Sequence, residues 1–206
     1  LKTALCEAAE KLAEETDVIS AFRKLQQLHQ EFRETGPVSS ELREEIWTRF
    51  KAASTIINKR HQEHFEKRKE EEQNNLDQKT AICEAIEAID LSSLTSFNEW
   101  NAKTEEITAL QAKWKTIGFA PQKMNVKIFE RFRAACDKFF QSKAEYYKSV
   151  KDTLNQNLEK KKALCEKAEE LAESTDWKQT TDTLVALQKQ WKEIGSVPKK
   201  YSDSIW

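Results

Sequence analysis

Apolar residues return every three or four positions through most of the chain, the period of an amphipathic helix. Leu5, Ala8 or Ala9, and Leu12 share one side and predict a short helix over Leu1–Glu15. Thr16 and Asp17 break it and offer an N-cap for a second helix over Val18–Thr35, striped by Phe22, Leu25, Leu28 and Phe32. From about Ser40 to about Ile89 there is no proline, glycine or turn cluster. An apolar seam runs through Ile46 or Trp47, Phe50, Ser54, Ile57, His61, Phe65, Leu76, Ile82, Ile86 and Ile89. Its roughly heptad beat predicts one coiled-coil-like helix of about 50 residues, or about 75 Å at about 1.5 Å per residue. Glu66–Asn75 is almost wholly charged or amide and gives that helix a wet waist; the alternative is a break near Asn74 and Asn75.

Asp90–Ser96 forms the next link, and Ser96 with Glu99 has capping-box spacing for a helix over Phe97–Ile117. A second long helix follows from about Asn125 to about Ala172. Thr175 and Asp176 end it, Trp177–Ile194 is the last complete short helix, and the chain stops just inside what reads as a third long one.

These elements repeat around three glycines. Leu28, Leu110 and Leu187 lie eight residues before Gly36, Gly118 and Gly195; Phe32, Trp114 and Trp191 lie four before; Trp47, Phe129 and Trp206 lie eleven after. Four apolar or glycine positions in one register, three times over, mark an internal repeat. Each glycine is expected to end a helix in the left-handed conformation. Pro37, Pro121 and Pro198 follow where a helix cannot continue. Gly36 to Cys83 and Gly118 to Cys165 are both 47 residues, so the long helix keeps its length. Cysteine to glycine is 30, 35 and 30 residues, and the five extra fall in the link between Cys83 and Trp100.

The expected fold is therefore all-α: tandem three-helix bundles in an elongated, spectrin-like array, with long helices shared between neighbours. The copies are read as residues 1–64, 65–147 and 148–206, with the outer two truncated. Trp114, Phe129, Phe132, Phe139 or Phe140, Ile86 and Ile107 would fill one core, each fully buried ring contributing roughly 2–3 kcal/mol. Because the first residues already read as mid-helix, the chain is expected to be an excised fragment.

The pattern Trp114, Lys115, Ile117, Gly118, Pro121, then Phe129, Phe132, Arg133, Phe139 and Phe140, resembles the bacterial helical repeats known as domain of unknown function, number 349. Trp191, Lys192, Ile194, Gly195, Val197, Pro198 and Trp206 match it again. The first copy matches through Gly36, Pro37, Val38, Trp47, Arg49 and Phe50, with Phe32 and Thr35 replacing the tryptophan and isoleucine. The resemblance implies a bacterial, cytoplasmic protein with tandem copies and implies no activity.

Composition narrows the function by exclusion. With 33% charged and 38% hydrophobic residues but only 3 Gly and 3 Pro, the 206-residue chain suits long helices with wet faces. A net charge of −1 gives no global pull toward nucleic acid or membrane, and no apolar run reaches the ~20 residues of a membrane helix. Each glycine stands alone, so no phosphate loop forms. No Glu-x-x-His pair or Cys-x-x-Cys pair is present, and no cofactor or metal is expected. His61 and His64 could share a helix face, but Lys143 and Tyr146 take their places in the next copy. Cys6, Cys83 and Cys165 share one repeat position and read as core filler. An enzyme is not expected.

One polar pattern recurs. Arg33, Lys115 and Lys192 lie three before the glycines; Arg49 and Arg131 thirteen after; Lys51 and Arg133 fifteen after. Lys123, Lys199 and Lys200 add to the corners. Cations near a helix C-terminus complement its dipole. Spaced by the repeat, they could also contact a polyanion. Aromatic residues fall on the core stripe in this reading and make no stacking platform. The sequence thus points to a non-enzymatic helical scaffold or spacer that binds protein partners. The alternative is an RNA or ribosome-associated binder, with no membrane contact and with partner identity and oligomeric state open.

Overall fold

The computed structural model describes residues 1–206 and contains helices and no strand. The helices are α1 (Lys2–Glu14), α2 (Val18–Glu34), α3 (Ser40–Glu87), α4 (Phe97–Thr116), α5 (Gln122–Glu170), α6 (Trp177–Ile194) and α7 (Lys199–Ser202), with a 3-10 turn at Leu91–Ser93. No helix is long and apolar enough to cross a membrane. The chain gathers into two compact units: Leu1–Ala85 with Ala109–Arg131, and Ile86–Thr108 with Phe132–Trp206.

In the first unit, α1, α2 and the first half of α3 enclose two apolar layers. Cys6, Ala9, Ile46, Phe50 and Ala53 form one, with Leu28, Phe32 and Val38 against it. Ala21, Leu25 and Ile57 form the other, with Leu12, Ala13 and Phe22 against it. Polar contacts then fix the helix ends. The Asp17 carboxylate accepts from the Ile19 and Ser20 amides and opens α2. Arg60 donates to the Ala13 and Glu15 carbonyls, which the end of α1 leaves without helical partners. His61 stacks on Phe22 at 3.7 Å between centroids, and His29 meets Phe50 edge-on at 5.0 Å, so both imidazoles serve packing.

Helix α3 is unbroken for 48 residues, and Asn74 and Asn75 lie inside it. The polar waist therefore continues the helix. After Gly195 the chain re-enters helix at α7, four residues past the glycine, as α3 and α5 begin four past theirs.

In the second unit the five-residue insertion acquires structure. Asp90 caps the 3-10 turn by accepting from the Ser92 amide and hydroxyl, which hold its carboxyl below the ordinary range. Leu94, just beyond, is buried, and its carbonyl accepts the indole N–H of Trp100 at 3.1 Å. Trp100 stacks on Tyr146 and tilts against Phe139. Ser96 and Glu99 form the expected capping box, Glu99 accepting from the Ser96 amide at 2.9 Å and donating its own to the Ser96 hydroxyl at 3.3 Å. Lys143 and Tyr147 of α5 reach Thr104 and Asn101 of α4, and the Tyr146 hydroxyl donates to the Thr95 carbonyl.

Two expectations about the corners are corrected. Only Gly195 has positive φ, at 89°, so Gly36 and Gly118 turn without left-handed backbone. The ring eleven residues after each glycine is not core: Trp47, Phe129 and Trp206 are 54%, 52% and 89% exposed. The isoleucine just before takes the inward place, with Ile46 and Ile128 buried. Neighbouring helical residues are about 100° apart, so only one of the two can point inward. Phe139, rather than Phe140, is the buried one of that pair; Phe132, Ile86 and Ile107 are buried too, while Trp114 is half-buried.

Candidate interaction surface at the glycine corners

Each corner is gripped by one face of a helix. Asn75, Lys79 and Cys83 lie four residues apart on α3, as Asn157, Lys161 and Cys165 do on α5, so each triplet falls on one side. At the Gly118 corner the Asn75 amide donates to the Phe119 carbonyl at 2.9 Å. The Lys79 ammonium lies 5.2 Å from the Trp114 ring centre, and the Cys83 thiol points to the Ile128 carbonyl at 3.9 Å. At the Gly195 corner Asn157 donates to the Ser196 carbonyl at 2.7 Å, Lys161 sits 4.7 Å over Trp191, and Cys165 points to the Ile205 carbonyl at 3.8 Å. At the Gly36 corner Lys2 sits 4.6 Å over Phe32 and Cys6 points to the Ile46 carbonyl at 3.4 Å. An amide, a cation over an aromatic face and a thiol thus meet three successive parts of one corner.

The same contact bears on the glycine at one corner. A Cβ on Gly118 would come within 2.8 Å of the Asn75 amide nitrogen, and one on Gly195 within 3.5 Å of that of Asn157. A Cβ on Gly36 would meet nothing within 4 Å. Gly195 also has backbone angles that a side chain rarely adopts, whereas Gly118 is fixed by contact alone.

Electrostatics follow from these surroundings. Burial lowers the pKa of the Lys79 ammonium. Burial likewise pushes the Cys6 thiol up, against the pull of Arg49, and lowers that of His29, with Arg33 adding to it. Cys6, Cys83 and Cys136 are buried, and Cys165 is half-buried.

The cations singled out in the sequence divide by role. Arg49 is half-buried and clamps Glu10 of α1, both bonds at 2.9 Å, holding that carboxyl below its ordinary range. It is therefore a packing contact between α1 and α3. Arg133 lies 3.6 Å from Asp137 with both side chains largely in solvent. Arg33, Lys51, Lys115, Lys123, Arg131, Lys192, Lys199 and Lys200 are exposed. The exposed ring of two corners has one of them a helical turn on: Trp47 is followed by Lys51, and Phe129 by Arg133. No group of three or more His, Cys, Asp or Glu side chains converges as a metal site needs.

Sequence reasoning missed Asn75, Asn157 and the three lysines. Their signal was present as the spacing Asn-x3-Lys-x3-Cys, found twice, with Lys-x3-Cys at Lys2 and Cys6.

The recurring grip defines an all-α protein built from repeated helix–corner–helix segments. The chain belongs to the family described as Domain of Unknown Function (DUF349), which matches residues 1–41, 45–123 and 127–200. Each match ends five residues past a glycine, so each closes on a corner. Comparison with curated proteins and with solved structures gives no match.

Proposed function

We propose that the chain is a non-enzymatic, cytoplasmic helical scaffold whose corners bind protein partners. The observation that carries this reading is the ring that stands exposed at the same place in two copies: Trp47 and Phe129. Exposed aromatic residues with an arginine or lysine beside them have the composition of protein interfaces rather than of ordinary helix surface. The residue types that could do chemistry are otherwise engaged, the thiols on backbone carbonyls and two imidazoles on phenylalanine rings. The tandem three-helix arrangement with shared long helices belongs to this proposal as the geometry that would space such rings evenly. The test is capture from lysate of the source cells, wild type beside a Trp47→Glu, Phe129→Glu double variant. At least one protein retained by the first and lost from the second is expected; none, or the same proteins on both, sinks the reading.

A second reading has its own observation. Because these rings are exposed, the objection that the aromatics are all core falls, and a base could stack on Trp47 or Phe129 with Lys51 or Arg133 at its phosphate. Anisotropy with mixed-sequence RNA at two salt concentrations tests it. Binding that weakens steeply with salt and is lost in Lys115→Glu with Arg133→Glu supports RNA; no binding at low salt removes it.

A further inference from the structure

Comparing the starts of α3 and α5 isolates one difference. Each presents exposed side chains in one register: Glu41, Glu44, Glu45 and Trp47 on α3, and Lys123, Val126, Lys127 and Phe129 on α5. At about 100° per residue these four positions share one broad face, with the ring at its edge. The rings correspond, yet lysines replace Glu41 and Glu45, and valine replaces Glu44. The wider corners follow suit. Residues 27–49 hold five acidic side chains and three basic ones, of which Arg49 is taken by Glu10. The matching Ala109–Arg131 holds five basic side chains and one acidic one, Glu130. Glu41 suits the positive start of α3, whereas Lys123 stands against that of α5. Helix stability therefore accounts for the acidic stripe and not for the basic one.

We propose that these two stripes are halves of one contact, the acidic start of α3 docking on the basic start of α5 of a second copy of this chain. The inference rests on the reading that the exposed rings are contact surfaces, and it names their partner. Trp47 and Phe129 would form the apolar centre of the contact, and the glutamates and lysines its polar rim. Within one chain the stripes cannot meet. Glu41 lies 34 residues along α3 from Asn75, which holds the Gly118 corner, a rise of about 50 Å. Charge complementarity also selects a second copy over a free polyanion, which would suit one of these corners and be repelled by the other.

The test is light scattering on the purified chain, freed of nucleic acid, at low and high salt. At low salt the mean mass should rise above that of one chain as concentration increases, and at high salt, where exposed charges are screened, it should fall back. Glu41→Lys with Glu45→Lys, or Lys123→Glu with Lys127→Glu, should each weaken association at least about tenfold, since each sets like charges opposite one another. Circular dichroism checks that both variants keep their helix content. An equal mixture of the two should associate again, because each then supplies the charge the other has lost. A wild-type chain that stays monomeric at low salt, association that persists in both variants, or a mixture no better than its parts overturns the proposal. So does a monomeric chain that binds mixed-sequence RNA through Lys123 and Lys127, since a polyanion would then be the occupant. A monomeric chain that still retains a lysate protein through Trp47 and Phe129 overturns this proposal alone and leaves the scaffold reading standing.

Discussion

Trp100 and Trp177 stand eighteen residues before their glycines, in the same register, and finish in opposite surroundings. Trp100 is 3% exposed and Trp177 is 82% exposed. Trp100 packs on Phe139 and Tyr146 of α5, 21 and 28 residues past Gly118, offsets that from Gly195 fall beyond residue 206; the link ahead of each tryptophan also differs. The longer link folds back as a capped 3-10 turn, offers the Leu94 carbonyl to the indole N–H, and lays Leu94 beside it. The shorter link before α6 supplies only an N-cap, Asp176, which accepts from the Gln179 amide. A buried indole must have its N–H satisfied, and the longer link does so for Trp100 through the Leu94 carbonyl. The insertion is thus a lid as well as a spacer.

The largest way to test this contrast is truncation. Trp100→Ala should destabilise the chain by about 3–5 kcal/mol, whereas Trp177→Ala should change stability by less than about 0.5 kcal/mol; urea unfolding followed by circular dichroism measures both. Comparable losses would erase the distinction. Next in size is the glycine pair, which poses the same question at the corners. Gly118→Ala displaces the Asn75 amide and should lose about 1 kcal/mol with its hydrogen bond, while Gly36→Ala should be neutral or gain a few tenths through the unfolded chain, roughly within the 0.4–1 kcal/mol seen for such changes. Ser96→Ala should remove about 1 kcal/mol by uncapping α4, and the emission of Trp100 should shift to the red as the lid loosens. The smallest effect is acid sensitivity. The Thr95 amide, followed by Ser96, holds the Glu99 carboxyl below its ordinary value of 4.5. Stability from that carboxylate is complete above 4.5 and is lost as pH falls through the lower folded value. Melting temperature should therefore drop more steeply below pH 4.5 in the wild type than in Glu99→Gln.

Much of the fold could be read in advance because the chain punctuates itself. Asp17, Ser96 with Glu99, and the Gly-Pro corners mark helix ends by local hydrogen bonding, which depends on near neighbours alone. Which of Ile46 and Trp47 is buried could not be read, since both are apolar and adjacent; the outcome is set by a core that Cys6, Phe50 and Ala9 build from a distance. Asn75 was misleading for a related reason. An asparagine in a polar stretch signals a break, yet this one stays helical and acts on a carbonyl 44 residues away. Among the ten cations proposed as contacts, Arg49 turned inward, because Glu10 on α1 meets it, a partner that spacing around the glycines does not reveal.

The asparagine, lysine and cysteine on each long helix impose an arithmetic on length. Adding or deleting one residue between Asn75 and Cys83 would rotate the later partner by about 100° and carry it off the corner. Residues added between Cys83 and Trp100 carry no such penalty, because no member of the triplet changes its bearing. Length in this chain is therefore continuous in the links and quantised in the rods, and natural or engineered variation in size should collect where the protein has already accepted five extra residues.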